Sequence, residues 1–205
     1  QSLVSSIMKA SFGENATIAI KPSLMGVHLD RYKAHEYLLG IAESTQEAKI
    51  TIEIDMERSD LVDDILALYQ QIHSNYPQTV IAIQSYLLRT DSDLEVLLKQ
   101  KSANIRLVKG GYREHGDHAV QDGLAINSTY HRLMCRLLEF QTALRGVTTR
   151  IATHHPSLIG AARTRAMRQQ IPWESWEVQM LYGVRPELQQ RLIEEGCRVR
   201  IVIPY

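Results

Sequence analysis

Residues 79–86 read TVIAIQSY. The first five are β-branched or small apolar residues, and the polar Gln84 follows them. A short apolar run of this kind, bounded by polar residues, predicts a buried strand of a parallel sheet. Similar runs recur along the chain and alternate with longer segments of helical periodicity. This alternation predicts an α/β protein built from repeated βα units.

The recurring runs predict about seven strands, at residues 17–20, 50–54, 79–83, 105–108, 149–152, 178–181 and 199–203. Apolar spacing predicts a helix that starts near Ser59 or Asp60 and another capped by Asp91 or Ser92. A longer helix is expected to begin before Tyr130. Pro156 and Pro186 are placed to start two more helices, through residues 167 and 195.

Two α/β folds fit this pattern, a doubly wound sheet that binds a dinucleotide and a (β/α)8 barrel. The doubly wound fold should have a glycine-rich turn after its first strand. The first strand is followed by Lys21 and Pro22, and no GxGxxG motif occurs anywhere. The pair Gly110–Gly111 is too short to serve as that dinucleotide fingerprint. We therefore predict a (β/α)8 TIM-like barrel, formed as one domain by residues 1–205.

Composition excludes several classes of protein. The 205 residues are 44% hydrophobic and 22% charged, which predicts a folded core rather than disorder. Lys+Arg and Asp+Glu are both 23, so no overall charge favours binding to nucleic acid. Cys135 and Cys197 lack the spacing of a metal site, and a reducing compartment is expected. No apolar stretch reaches the length of a membrane span.

Polar residues stand at the ends of successive predicted strands, where the active site of such a barrel is built. They are Lys21, Asp55, Glu57, Gln84, Tyr86, Lys109, Tyr112, Thr153, His154, His155 and Gln179. Arg106 lies inside a strand, where we expect a buried and paired arginine. Such a ring would hold an anionic, hydrogen-bonding ligand, although salt bridges can also close a barrel rim. No metal site is predicted, because adjacent histidines point in different directions.

Several of these segments resemble the proline dehydrogenase family. IRLVKGGY at residues 105–112 is similar to the family's RLVKGAY, and IQSY at 83–86 is similar to its QAY. IDME at 54–57 resembles iDxE, ATH at 152–154 resembles ATHN, and EVQMLYG at 177–183 resembles EFQMLYG. RVRIVIPY at 198–205 resembles VRVYVPYG, and Lys21 in IAIKPSLMG matches the lysine of the family's VKLTxLG strand.

The resemblance implies a barrel that holds FAD noncovalently and oxidises L-proline to 1-pyrroline-5-carboxylate by hydride transfer to flavin N5. Electrons would then pass to a membrane quinone during proline catabolism. It also implies a cytoplasmic protein with at most peripheral contact at the inner face of the membrane, or a mitochondrial one in a eukaryote. No nucleic-acid partner is implied.

The resemblance also implies a role for individual residues. Asp55 and Arg106 would be catalytic, with Arg106 stabilising the negative charge that builds on the reduced flavin. The substrate-binding residues would be Lys21, Tyr112 and Leu181. The cofactor-binding residues would be Met56, Gln84, Lys109, Gly110, Gly111, Thr153, His154 and Gln179.

Departures from the family pattern leave other functions open. The family's first strand and its last helix, which carries the substrate-clamping arginine pair, are expected to lie outside residues 1–205 in a longer parent. Val202 stands where the family has a tyrosine, and Gly111 and His155 replace its alanine and asparagine. The alternatives are a flavoenzyme for another cyclic amino acid, a non-catalytic barrel that serves as a binding or regulatory module, and an aldolase with Lys21 or Lys109 as a Schiff base.

Overall fold

The computed structural model describes residues 16–99, 103–143 and 147–204. Contacts divide the chain into two compact units, Gln1–Ala82 and Ile83–Tyr205. The strand Val80–Gln84 crosses the division. The single domain expected for residues 1–205 stays a prediction.

The first unit consists of strands joined by helical segments. In chain order its elements are strand β1 (Thr17–Ile20), the 3-10 helix Pro22–Met25, helix α1 (Arg31–Glu47), strand β2 (Thr51–Ile54), the 3-10 helix Ser59–Leu61, helix α2 (Val62–His73) and the beginning of strand β3 (Val80–Gln84). The strands lie in the order β1-β2-β3 and pair in parallel, with Ile20 opposite Ile54 and Ile54 opposite Ile81.

Helix α1 shows how local sequence sets an element in this unit. The Asp30 carboxylate caps its N-terminus by accepting hydrogen bonds from the backbone N–H groups of Tyr32 and Lys33, at 3.0 and 3.1 Å. Ala34, Leu38 and Ala42 recur every four residues and are buried. These side chains give the helix one packed face.

The second unit repeats the same strand and helix alternation. Its elements are the end of β3, helix α3 (Thr90–Leu98), strand β4 (Ala103–Val108), helix α4 (Gly123–Ala143), strand β5 (Val147–Ala152), helix α5 (Pro156–Arg168), the 3-10 helix Trp173–Ser175, strand β6 (Trp176–Leu181), helix α6 (Pro186–Glu194) and strand β7 (Val199–Val202). The last four strands lie in the order β4-β5-β6-β7, and every pairing is parallel.

Helix α4 carries much of the core of this unit. Tyr130, Leu133, Met134 and Leu137 follow one another at helical spacing and are fully buried. The Tyr130 hydroxyl donates a hydrogen bond to the Leu107 carbonyl oxygen at 3.1 Å. This bond fixes α4 against β4 while satisfying a buried polar group.

All seven predicted strands are confirmed; the first matches at both ends, and the ends of the others differ from the prediction by at most two residues. The helices expected from Pro156 and Pro186, and the helix expected to begin before Tyr130, are confirmed as α5, α6 and α4. The sequence set no bounds for α1. The periodic segment after Ser59 begins as a 3-10 turn and continues as α2.

The cap predicted for α3 was wrong. The helix begins at Thr90, so Asp91 and Ser92 are helical residues. The Asp91 carboxylate accepts two hydrogen bonds from the Arg132 guanidinium, at 2.5 and 2.6 Å. The Asp91 carboxylate, which the sequence suggested as a helix cap, therefore forms a bidentate ion pair with Arg132 of α4.

The α/β class and the parallel βα repeats are confirmed, whereas closure into eight strands stays a prediction. Within each unit, strands that follow one another in the chain are neighbours, as a barrel requires. Among the described residues, no helix has the length and apolar character needed to cross a membrane.

Candidate functional site

Three predicted site residues follow strands of the first unit. Lys21 comes directly after β1, while Asp55 and Met56 come directly after β2. The Asp55 backbone N–H donates to the Ile20 carbonyl oxygen at 2.8 Å, which continues the parallel pairing past the strand ends. Lys21 and Asp55 are half-buried, and Met56 is buried. The turns that hold these three residues are thus neighbours at one edge.

Glu57 has a structural role in the same region. Its buried carboxylate accepts hydrogen bonds from the Ser23 N–H and the Ser23 hydroxyl, both at 2.6 Å. This contact holds the turn after Lys21 against the segment after β2. The sequence marked Glu57 as a strand-end residue but gave no sign of its partner.

In the second unit, the segments after β3 and β4 are tied together by their backbones. The Ser85 and Tyr86 N–H groups donate to the carbonyl oxygens of Val108 and Lys109, at 2.9 and 3.0 Å. The Gln84 side chain is buried at the end of β3, and the Gln84 backbone carbonyl oxygen accepts a hydrogen bond from the Thr90 hydroxyl. These contacts set where Lys109 leaves the sheet.

Tyr86 shapes the turn that Gly110 makes. Gly110 has φ +123, a conformation that L side chains rarely adopt, and a Cβ placed on it would lie 2.1 Å from the Tyr86 ring. The Tyr86 hydroxyl donates to the Tyr112 carbonyl oxygen at 3.0 Å. Burial raises the pKa of Tyr86, which keeps this donor protonated. Gly111 is different, because a Cβ there would meet nothing within 4 Å.

Lys109 is held by a residue that sequence reasoning missed. Its ammonium donates to the Asn127 side-chain oxygen at 2.5 Å, from the first turns of α4. Burial lowers the pKa of Lys109. Because Asn127 is neutral, this contact orients the lysine without cancelling its charge. A single asparagine on a helix surface carries no pattern that would have identified it.

Thr153 and His154 follow β5, and His154 reaches β6. The Leu181 backbone N–H donates to His154 Nε2 at 2.8 Å, so this nitrogen carries no proton. The Thr153 hydroxyl accepts a hydrogen bond from the His155 N–H at 3.2 Å. Burial, followed by the charges of Arg185 and Lys109, lowers the pKa of His154. A neutral imidazole at position 154 therefore agrees with both its hydrogen bond and its surroundings.

A cavity of about 340 Å³ gathers several of these side chains. Its lining includes three predicted cofactor residues, Lys109, Thr153 and His154, and also Ala152, His155 and Arg185. None of these lining residues is acidic. Because cationic and hydrogen-bonding groups line it, the cavity suits an anionic ligand.

Arg106 and Gln179 lie on strands of the same unit. Arg106 is half-buried rather than buried as predicted, because β4 alternates buried residues with partly exposed ones and Arg106 is on the more exposed face. It stands opposite Arg150 of β5. The charge of Arg106 acts to lower the pKa of Tyr130, but the burial of that hydroxyl is stronger and raises it.

Gln179 belongs to a buried charge network around Glu177. The Glu177 carboxylate accepts hydrogen bonds from Gln179 Nε2, Arg150 Nε and Arg200 Nε, at 2.9, 3.1 and 2.7 Å. Burial acts to raise the pKa of Glu177, but the hydrogen bond and charge of Arg200 and the charge of Arg150 outweigh it and hold this pKa below its usual value. The carboxylate is therefore ionised and neutralises part of the arginine charge.

The structure thus brings together Lys109, Thr153 and His154 around one cavity, and it joins Leu181 to His154. Gly110, Gly111 and Tyr112 continue the chain from Lys109, whereas the Gln179 amide is directed to Glu177. Among the described residues, no group of three or more His, Cys, Asp or Glu side chains could hold a metal ion.

Comparison with known proteins identifies relatives over nearly the whole chain. The sequence profile of a family described as proline dehydrogenase matches residues 4–205. Proline dehydrogenase 1 of Bacillus subtilis is 31% identical over 191 residues, which are 93% of this chain and 61% of that protein. Proline dehydrogenase of Deinococcus radiodurans is 34% identical over 154 residues, 74% of this chain and 48% of that protein. The chain therefore spans about half to three fifths of these relatives.

Solved structures with the same fold are larger proteins. Proline utilization A from Bdellovibrio bacteriovorus, inactivated by N-propargylglycine, superposes with a TM-score of 0.89 and 18% identity, over 99% of this chain and 25% of that one. Proline utilization A with proline bound in remote sites gives a TM-score of 0.80 and 19% identity, over 98% and 23%. At such identities the likeness shows the fold.

The contact of Tyr86 with Gly110 predicts that two adjacent glycines tolerate alanine very differently. Gly110→Ala should lower the free energy of unfolding by about 2 kcal/mol, because its Cβ would displace the Tyr86 ring. Gly111→Ala is the matched control and should change it by less than about 0.5 kcal/mol. Denaturant unfolding measures both, and equal effects would contradict the packing described for Tyr86.

His154 should titrate below 6.5, its ordinary pKa, in an NMR titration of the folded protein. Because the unfolded chain binds this proton more readily, the contribution of His154 to stability is full above about pH 6.5 and falls as the pH drops through the folded value. Replacing Lys109 with methionine should raise the pKa of His154 by removing a nearby charge. A folded pKa at or above 6.5 would contradict the effect of burial and of the two neighbouring charges on His154.

Proposed function

The chain belongs to the proline dehydrogenase family, and from that premise we propose that the protein oxidises L-proline to 1-pyrroline-5-carboxylate in proline catabolism. The observation that carries the proposal is the family match over residues 4–205, which includes every strand end that bears a predicted site residue. The cationic cavity beside β4, β5 and β6 supports it, because it suits an anionic cofactor.

FAD is the cofactor that we propose for this reaction. The donor set fits it, since two cations and a threonine line a cavity without an acidic residue, and diphosphates favour such groups. Lys109, Thr153 and His154 would bind the phosphate end, with Gly110 and Gly111 letting the backbone approach. Met56, Gln84 and Gln179 would hold the ring end. When bound, FAD would supply the acceptor for the hydride that proline loses.

The remaining predicted residues would bind proline and stabilise the charge that develops during the reaction. Proline loses a hydride from carbon and a proton from nitrogen. Because the hydride carries away the electron pair of the C–H bond, positive charge develops on the ring nitrogen. Arg106 would stabilise the negative charge on the acceptor side, and Asp55 would be a catalytic residue that acts on the substrate. Lys21 would face the proline carboxylate, while Tyr112 and Leu181 would enclose the apolar ring.

A quinone is the electron acceptor that we propose, reached by peripheral contact with a membrane. The reaction releases two electrons per proline, and these must leave the cofactor before the next turnover. The location that goes with this acceptor is the cytoplasmic face of the membrane, or a mitochondrion in a eukaryote.

Oxidation of a larger cyclic amino acid is the second candidate, and one contact favours it. Val202 lies opposite Leu181 in the pairing of β6 with β7, so the two residues stand side by side at the proposed substrate wall. Valine is smaller than the tyrosine of the family pattern. The extra space would admit a ring with a hydroxyl or N-methyl substituent.

The proposed function is tested by the absorption spectrum of the purified full-length protein. We expect the visible bands of oxidised flavin, and we expect L-proline added without oxygen to bleach them. Bleaching by trans-4-hydroxyproline or N-methylproline but not by proline would instead support the second candidate. A colourless protein that cannot be reconstituted with FAD would contradict both and favour a non-catalytic barrel or an aldolase.

Arg106→Met should slow flavin reduction by proline roughly 100-fold, because it removes the charge that stabilises the reduced state. Flavin content and the unfolding midpoint serve to show that the protein is still loaded and folded. Arg168→Met, at an exposed arginine in the last turn of α5, is the matched control and should react at the wild-type rate. If proline reduced the flavin of Arg106→Met at the wild-type rate, the role proposed for Arg106 would be wrong.

A further inference from the structure

Arg185 lines the cavity, but neither the fold nor the sequence motifs explain why an arginine is there. It lies between β6 and α6, with an exposed side chain, and the five other lining residues come from the ends of β4 and β5. No other described residue forms an ion pair or hydrogen bond with its guanidinium. A charged group that lines a cavity without an acidic partner is placed to meet a ligand.

The backbone conformation at Arg185 is also unusual. Its φ is 52 and its ψ is 56, the left-handed conformation, directly before Pro186 opens α6. Lys49 and Gln170 also have positive φ, but each lies two residues beyond the end of a helix, where this conformation is the common way to stop. Arg185 precedes a helix, so helix termination does not account for it. In this conformation Arg185 lines the cavity.

Lys109 supplies the second positive charge in the cavity. Its described partner is the neutral Asn127, at 2.5 Å, and the other lining residues include no carboxylate. His154 adds no charge, since its Nε2 accepts the Leu181 N–H. The charges of both Arg185 and Lys109 lower the pKa of His154, which agrees with the two cations flanking this imidazole. The cavity therefore carries two positive charges around a neutral histidine.

We propose that Arg185 is a ligand-binding residue and that Arg185 and Lys109 together bind the diphosphate of the dinucleotide cofactor. This inference rests on the proposed function, because that function supplies FAD as the ligand. A diphosphate spreads at least two negative charges over two phosphate groups, which matches two separate cations. The carboxylate of an amino acid carries one charge and would leave one cation unmatched in a cavity of about 340 Å³.

The test compares the affinity of the full-length protein, stripped of cofactor, for FAD and for riboflavin, which lacks the phosphates. Arg185→Gly is the informative variant, because glycine adopts the left-handed conformation freely and so removes the guanidinium without straining the turn. We expect it to weaken FAD binding roughly tenfold or more and to leave riboflavin binding within about twofold. Quenching of flavin fluorescence gives both dissociation constants.

Two further variants separate charge from structure. Arg185→Lys should retain most of the FAD affinity, since it keeps a cation at this position. Arg191→Ala removes another exposed arginine of α6, outside the cavity, and should change neither affinity. In the wild-type protein, the difference in affinity between FAD and riboflavin should also shrink as the salt concentration rises. In Arg185→Gly this difference should shrink less.

The outcomes distinguish this inference from the proposed function. Unchanged FAD affinity in Arg185→Gly, or an equal loss for FAD and riboflavin, would overturn the role of Arg185. ADP carries the diphosphate without the flavin, and ADP binding that falls in Arg185→Gly would support the inference even if proline failed to bleach the loaded protein. A wild-type protein that binds neither FAD nor ADP would overturn it.

Discussion

Parallel pairing of successive strands is the constraint on which the candidate site depends. Within each unit, the helical connections return the chain to the same edge of the sheet, so residues that follow neighbouring strands must gather there. The backbone continues this pairing beyond the strands, from Asp55 to Ile20 in the first unit and from Tyr182 to Val202 in the second, both at 2.8 Å. The topology thus fixes where functional side chains can lie, and the sequence decides which chemistry they supply.

Charge balance is the second constraint, because arginines placed on packed strands need partners. Arg150 and Arg200 face Glu177 across β5, β6 and β7, and the ionised carboxylate accepts hydrogen bonds from both guanidinium groups. Removing that carboxylate would take away the negative charge that both guanidinium groups contact, which costs far more than a surface ion pair contributes. The Gln179 amide donates to the same carboxylate, so its position depends on this balance.

The elements set by repeated local patterns were predictable from the sequence, and those set by partners far along the chain were not. β-branched runs located all seven strands, and their polar ends located Lys109, Thr153 and His154, which line one cavity. The start of α3 was misplaced at Asp91 or Ser92, and the partner of Asp91, Arg132, is 41 residues away. Asn127 and Arg185 were missed because one asparagine on a helix and one arginine in a turn form no periodic signal.

The second unit therefore contains cations in two different settings. Arg150 and Arg200 contact a carboxylate within the sheet and contribute to its internal balance. Lys109 is held by a neutral amide, and Arg185 lines the cavity beside it, so their charge is directed at whatever occupies that space. A fold that neutralises its internal arginines but leaves acidic residues out of the cavity lining keeps positive potential where an anionic ligand can use it. The position of the acidic residues, more than the number of basic ones, distinguishes the ligand site from the structural network.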